Sequence, residues 1–302
     1  MSRTMNSPAT IVGAPVTDEP ILGIDCGGTG TRAVLLRDGR SIARYSEGPI
    51  NALLHADGTE RLAQMIVSSG ARRVGIGLAG LRGPEAALAV QCELEDRTGT
   101  RVIVGDDTEA ALLGAFGGEP GIVVLAGTGN NALGRDGQGA MARAGGYGFL
   151  LGDEGSGYWI AAQAIRMALR SHDHTGPHLP ALEDVVLDHF GEDFDAVVRR
   201  VHAAPGNRRI VADLVPALAE SDDPAVDDLF MNAADHLVRL ADAVRRALGP
   251  LRVSMSGGVF HIERVRSRFV NATGGVMPLA TPEVGAARLA LAEYQGAQGE
   301  SA

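Results

Sequence analysis

A chain of 302 residues that is 45% apolar and only 4% aromatic is long enough for two domains, with cores filled mainly by Ala, Leu and Val. Its formal net charge of −10 argues against a nucleic-acid partner, because little affinity can come from counterion release, and no apolar run reaches transmembrane length, so no membrane partner is expected. All 27 residues counted as Lys or Arg are arginine, which excludes the lysines of P-loop enzymes and protein kinases and any Schiff-base chemistry; a nucleotide would have to be held by backbone N–H groups and a metal.

Residues 1–20 lack the apolar core of a signal peptide and read as a flexible tail ending near Pro20. The run 21–24 predicts a strand, Cys26-Gly27-Gly28-Thr29-Gly30 a tight turn, and 31–37 a second strand. Asp38-Gly39 signals a hairpin into a third strand over 41–46. A helix over 59–68, a strand over 74–78, a helix opened by Pro84, a strand over 101–104 and a helix over 108–116 follow. This alternation predicts an α/β sheet.

A second block opens the same way. Residues 121–126 read as a strand, Gly127-Thr128-Gly129-Asn130 as a glycine turn, 132–135 as the return, and Asp136-Gly137 as another hairpin signal. Two similar halves facing one another would form an interdomain cleft, a common ligand site. From Gly157 onward apolar spacing predicts helices over 157–170, 181–190, 194–202, 210–219 and 224–248. A strand over 252–255, a Ser256-Gly257-Gly258 turn into a helix, a strand over 276–279 and a final helix opened by Pro282 complete the chain.

Five segments carry candidate chemistry. In Asp25–Thr31 the glycines let backbone N–H groups approach phosphate oxygens, and Asp25 at a strand end could hold Mg²⁺. The matching Gly127–Asn130 turn could do the same for phosphate; each turn can also be read as a plain hairpin. Asp106 and Asp107 stand where a strand meets a helix, at the edge where open α/β sheets bind ligands. Either could be a general base or merely a helix cap. The glycine density of 145–157, with Asp153, Glu154 and Ser156 before a helix, suggests a ligand loop, or a cap. Gly257 and Gly258 could pack a nucleoside on bare backbone, or form a tight strand–helix turn. His172, His174 and His178 read as an exposed loop rather than a metal site. Two cysteines, Cys26 and Cys92, make no disulfide framework and fit a reducing cytoplasm.

Taken together, these segments resemble the family of N-acetylglucosamine kinases and BadF/BadG/BcrA/BcrD-type ATPases, within the actin and hexokinase superfamily. The resemblance covers nearly the whole chain from Ile21 to Tyr294. It is carried by Asp-x-Gly-Gly-Thr-x-Thr at 25–31, Gly-Thr-Gly-Asn at 127–130, and Gly-Gly-Tyr-Gly with Gly-Asp-Glu-Gly-Ser-Gly at 145–157. It implies a two-lobed actin/hexokinase-like (ribonuclease H-like) α/β fold with duplicated βββαβαβα domains. The lobes would be 21–117, completed by a C-terminal helix over 282–295, and 118–281 with a helical insertion.

The resemblance further implies ATP and Mg²⁺ as cofactors. Gly27, Gly28, Thr29 and Thr31 would form one phosphate loop, Gly127, Thr128, Gly129 and Asn130 the other, and Gly257 and Gly258 the adenosine contact. The Asp-x-Glu-x-Ala-Leu-x-Gly-Ala pattern puts Asp107, not Asp106, at the catalytic base. Asn51, Gly146, Tyr147 and Asp153 would meet an amino sugar, N-acetylglucosamine or glucosamine, phosphorylated at O6. Tyr147 stands where such kinases often carry Trp. A cytoplasmic homodimer is the expected assembly. Two other readings are an ATPase that activates a redox or dehydratase partner through a shared iron–sulfur cluster, and a nucleotide-binding regulator without turnover.

Overall fold

The computed structural model describes residues 2–4, 9–28, 30–50, 52–53, 57–81, 83–191, 193–203 and 208–291. The chain divides into two compact units, Met1–Glu119 with Leu279–Ala302, and Pro120–Pro278.

The first unit runs β1 (Ser2–Thr4), β2 (Ala9–Thr10), β3 (Ile21–Cys26), β4 (Thr31–Arg37), β5 (Arg40–Glu47), α1 (Gly58–Ser69), β6 (Arg73–Leu78), α2 (Pro84–Thr98), β7 (Arg101–Asp106) and α3 (Asp107–Phe116). Its sheet has the order β1-β5-β4-β3-β6-β7, with β2 also on β5. β3, β4 and β5 form an antiparallel meander, and β3, β6 and β7 are parallel.

The period-2 pattern of β3 sends its residues to two faces. Leu22, Ile24 and Cys26 join the core under α1 and α2 with Leu62, Ile66, Val90 and Leu94. Ile21 joins Val34, Leu36, Val284 and Ala287 on the other face. That second face is covered by α3 and by α11 (Pro282–Leu289), which belongs to this unit although it follows the whole of the second in sequence. Glycine makes the contact possible. A Cβ on Gly23 would stand 1.9 Å from the Glu283 carbonyl oxygen, and one on Gly75 would stand 1.8 Å from that of Ala286. The helix backbone therefore lies directly on β3 and β6.

The second unit runs β8 (Gly121–Ala126), β9 (Asn130–Arg135), β10 (Met141–Gly145), α4 (Gly157–His172), α5 (Pro180–Phe190), α6 (Phe194–Ala203), α7 (Arg208–Ala212), α8 (Val215–Ala219), α9 (Pro224–Leu248), β11 (Val253–Ser256), a 3₁₀ turn Gly258–His261 and α10 (Glu263–Thr273). Its sheet order, β10-β9-β8-β11, repeats the meander followed by a parallel strand. The core joins Ile122 and Val124 of β8 to Ile160 and Ala164 of α4, Phe230 and Leu237 of α9, and Phe269 of α10. Small Ala side chains and a few Phe rings thus fill a core poor in aromatics.

Three expectations are corrected. The stretch expected as a flexible tail supplies β1 and β2, which pair with the otherwise free edge of β5, and Ile11 N–H bonds the Gly39 carbonyl at 3.0 Å. The single helix expected over 210–219 is two, α7 and α8, because Pro216 cannot donate to a continuous helix and instead sits in the first turn of α8. The strand expected over 276–279 is reduced to one parallel bridge between Val276 and Ser254.

Candidate functional site

In the first unit, Asp25 and Asp106 end parallel strands, so chemistry gathers at the C-terminal edge of the sheet. The two adjacent aspartates divide the work. Asp106 is the N-cap of α3: its Oδ1 accepts from Thr108 N–H at 2.9 Å, and Glu109 Oε2 accepts from Asp106 N–H at 3.1 Å. This reciprocal capping box satisfies the first turn of the helix. Asp107 is thereby released from capping, and its carboxylate accepts from the Thr108 hydroxyl at 3.3 Å.

Asp107 faces Asp25 across Gly77. Asp25 is in register with Gly77, and a Cβ there would lie 3.3 Å from Asp107 Cα. Burial pushes both carboxyls up to about 7; the Asp106 charge adds to the rise at Asp107, and the charges of Asp107 and Glu283 add to it at Asp25. Arg32, in register with Asp25 on β4, acts the other way on Asp25.

Folding raises these two acids from 3.8 to about 7, so the folded chain holds more protons than the unfolded one between those values. The pair makes the ligand-free protein lose stability as pH rises from about 4 to about 7. Asp25→Asn removes one charge and relieves the other. Its melting temperature relative to wild type should climb through that window and then level off. A difference that stays flat from pH 4 to pH 7 would contradict this.

Next to Asp25 the first glycine turn closes on itself, Gly27 N–H to the Gly30 carbonyl at 3.1 Å. Thr31 is fully buried, and its hydroxyl accepts from Ile50 N–H at 3.1 Å, so it anchors the 48–50 segment. Thr29 and Asn51 lie outside the described residues. Cys26 is buried in the core, and burial pushes its thiol well up, away from the thiolate an iron–sulfur cluster requires; Cys92 is free and exposed on α2.

In the second unit the equivalent turn closes alike, Gly127 N–H to the Gly129 carbonyl at 2.9 Å. The first N–H of each turn is therefore committed internally. Helix α4 docks on this turn: Gly157 N–H bonds Gly127 O at 2.8 Å, Tyr158 N–H bonds Thr128 O at 3.2 Å, and Ser156 caps the helix by accepting from Trp159 N–H at 3.2 Å. The Thr128 hydroxyl is buried, and no donor or acceptor among the described residues reaches it.

Asp153, at φ 64°, is buried against Gly129. Its carboxylate accepts from Asn130 N–H at 3.4 Å and pairs with Arg208 at 3.5 Å. Burial raises its pKa, while the Asn130 hydrogen bond and Arg208 oppose the rise. Asp153 thus braces the glycine turn. Gly146 N–H also bonds the Asn130 carbonyl at 3.0 Å, and Tyr147 beside it is 70% exposed.

Gly257 follows the end of β11 at φ 103°, and a Cβ there would stand 2.3 Å from the Ala126 oxygen. Only glycine lets these two strand ends close, and the contact sets Gly257 and Gly258 beside the 127–130 turn. The histidines at 172, 174 and 178 are exposed. Among the described residues no cluster of three or more His, Cys, Asp or Glu could hold a metal, and no helix is long and apolar enough to cross a membrane.

Three residues of this architecture escaped the sequence reading: Arg208, Arg44 and Glu283. Each acts through a tertiary pair that no local spacing announces. Asp106 was readable, because Asp-x-x-Glu before an apolar run is the capping-box signature.

Two units that share a three-strand antiparallel meander followed by a parallel strand, each with a glycine turn after the first strand of its meander, define a duplicated α/β chain of the two-lobed actin/hexokinase-like fold. The crystal structure of a candidate N-acetylglucosamine kinase from Chromobacterium violaceum matches it with a TM-score of 0.74 and 28% identity, over 90% of this chain and 98% of that one. The chain belongs to the BadF/BadG/BcrA/BcrD ATPase family, whose profile matches residues 22–290. An N-acetylmuramic acid/N-acetylglucosamine kinase of Clostridium acetobutylicum is 33% identical over 181 residues, 56% of this chain and 59% of that protein. A glucosamine kinase of Vibrio cholerae is 30% identical over 190 residues, 59% of this chain and 63% of that protein. The matched stretch thus spans about three fifths of the length of these two relatives.

Proposed function

We propose that this protein transfers the γ-phosphoryl group of ATP to a hydroxyl of an amino sugar, N-acetylglucosamine or glucosamine, at O6. The observation that carries the reading is Asp107: half-buried at the sheet edge, freed from capping by its neighbour, and with its carboxyl pushed to about 7. A general base works best with a pKa near the operating pH. Asp107 takes the proton of the attacking hydroxyl as the O–P bond forms, and the leaving ADP carries off the bridging oxygen. The kinase names of the relatives support the substrate class.

The glycine turns 27–31 and 127–130 bind phosphate, the idle Thr128 hydroxyl supplies one polar contact, and bare backbone at Gly257 and Gly258 receives the nucleoside. Asn51, Gly146, Tyr147 and Asp153 are assigned to the sugar side, Asp153 through the loop it braces. Mg²⁺ fits Asp25, since a cation relieves the repulsion between Asp25 and Asp107, and Mg²⁺ is commonly held by one or two carboxylates together with phosphate. When bound it neutralises charge on the phosphates. Two free cysteines support a cytoplasmic setting.

The test is ADP release measured against a panel of hexoses, hexosamines and N-acetylated hexosamines, with ³¹P NMR of the product. Release that depends on an amino sugar and yields a 6-phosphate is the expected result. ADP release indifferent to every sugar would defeat the proposal.

A further inference from the structure

Glu283 is the second residue of α11, and its main chain rests on Gly23, two residues before Asp25 and on the same face of β3. The side chain is only 4% exposed. Its Oε1 accepts from Arg44 Nη1 at 3.0 Å. Its Oε2 is buried, and no donor among the described residues reaches it.

A charged oxygen left bare inside a protein is expensive, and each such case calls for a donor. Arg44 supplies one, fixes the carboxylate and leaves the second oxygen idle. Charged groups on this face or on the helices that cover it include Asp25, which Glu283 influences electrostatically, Arg32 in register with Asp25, Asp107 and Glu109 of α3, and Arg288 of α11, which donates to the Gly13 carbonyl. Among the described residues no hydrogen bond joins Glu283 to Asp25. A water held on a cation at Asp25 would be one such donor, because its protons point away from the ion and its approach is not opposed by the Asp25 charge.

We propose that Glu283 is a positioning residue for the divalent cation, its buried Oε2 accepting a hydrogen bond from a water bound to the ion at Asp25. This rests on the nucleotide reading above. Mg²⁺ dehydrates reluctantly and usually keeps several waters, and partners that hold such outer groups typically change metal affinity 10–100-fold. Arg44 serves in turn by orienting Glu283.

The experiment titrates Mn²⁺, followed by its EPR signal, into wild type and Glu283→Gln in the presence of a non-hydrolysable ATP analogue. Affinity for the analogue without metal is measured alongside. Glu283→Gln should weaken Mn²⁺ binding by about 10-fold and leave metal-free analogue affinity unchanged, a split that general destabilisation does not produce. Equal Mn²⁺ affinity in the two proteins overturns the proposal while sparing the nucleotide reading. Failure of wild type to bind Mn²⁺ with the analogue overturns both. Should Glu283→Gln not fold, wild-type crystals with Mn²⁺ and the analogue decide: a shell water on Oε2 supports the proposal, and a shell with none there defeats it.

Discussion

Replacing Asp107 with Asn should lower turnover by roughly 10²–10⁴, the usual contribution of a general base, with ATP affinity within about twofold. The amide keeps the shape of the side chain and its contact with Thr108 but cannot accept a proton. Because burial pushes the Asp107 carboxyl up to about 7, wild-type kcat should also fall as pH drops below that value, and Asp107→Asn should lose this acidic limb. The neighbouring substitution separates chemistry from structure. Asp106→Ala removes the cap, which costs on the order of 1 kcal/mol, and should lower the melting temperature more than the rate. Steady-state kinetics and nucleotide titration on the two variants check the assignment. A large rate loss in Asp106→Ala with Asp107→Asn unaffected would reverse it.

The second large effect concerns stability. Gly75→Ala puts a methyl group 1.8 Å from the Ala286 carbonyl oxygen and 2.9 Å from Ala290 N. Both are backbone atoms, so α11 must move as a body. Overpacking of this kind costs about 3 kcal/mol, a fall in melting temperature of roughly 5 °C for a protein of this size. Gly48→Ala is the control. Nothing lies within 4 Å of a Cβ there, and its effect should stay within about 0.5 kcal/mol. Thermal unfolding of both variants tests the claim, and equal melting temperatures would refute it.

Much of this was legible in the sequence because the signals are local. Period-2 burial in β3, the Asp-Gly hairpin turn at 38–39 and the Pro residues opening α2, α9 and α11 each depend on a few neighbours. The two glycine turns were legible for the same reason, and so was the repeated meander they punctuate. Edge strands such as β1 and β2 are different, since their pairing depends on what β5 leaves unpaired rather than on their own pattern. The break between α7 and α8 was legible in Pro216, but apolar spacing masks it.

Glu283 shows the deeper limit. Its neighbours Arg44 and Asp25 are more than half the chain away, and an acidic residue after a proline at a helix start looks like an ordinary dipole partner. Asp153 is similar. Its sequence neighbourhood suggests a ligand contact, whereas its pairing with Arg208 makes it first a support for Asn130.

The discontinuity of the first unit has a consequence for synthesis. Pro120–Pro278 is one unbroken stretch and can close as soon as it leaves the ribosome, while the unit made first lacks α11 until Leu279 and its successors emerge. Until then Ile21, Val34 and Leu36 have no cover from Val284 and Ala287, and the nascent sheet presents a bare apolar groove of the kind chaperones attend. The half begun first is thus the half completed last, and Asp25 stays open to water until the final helix arrives.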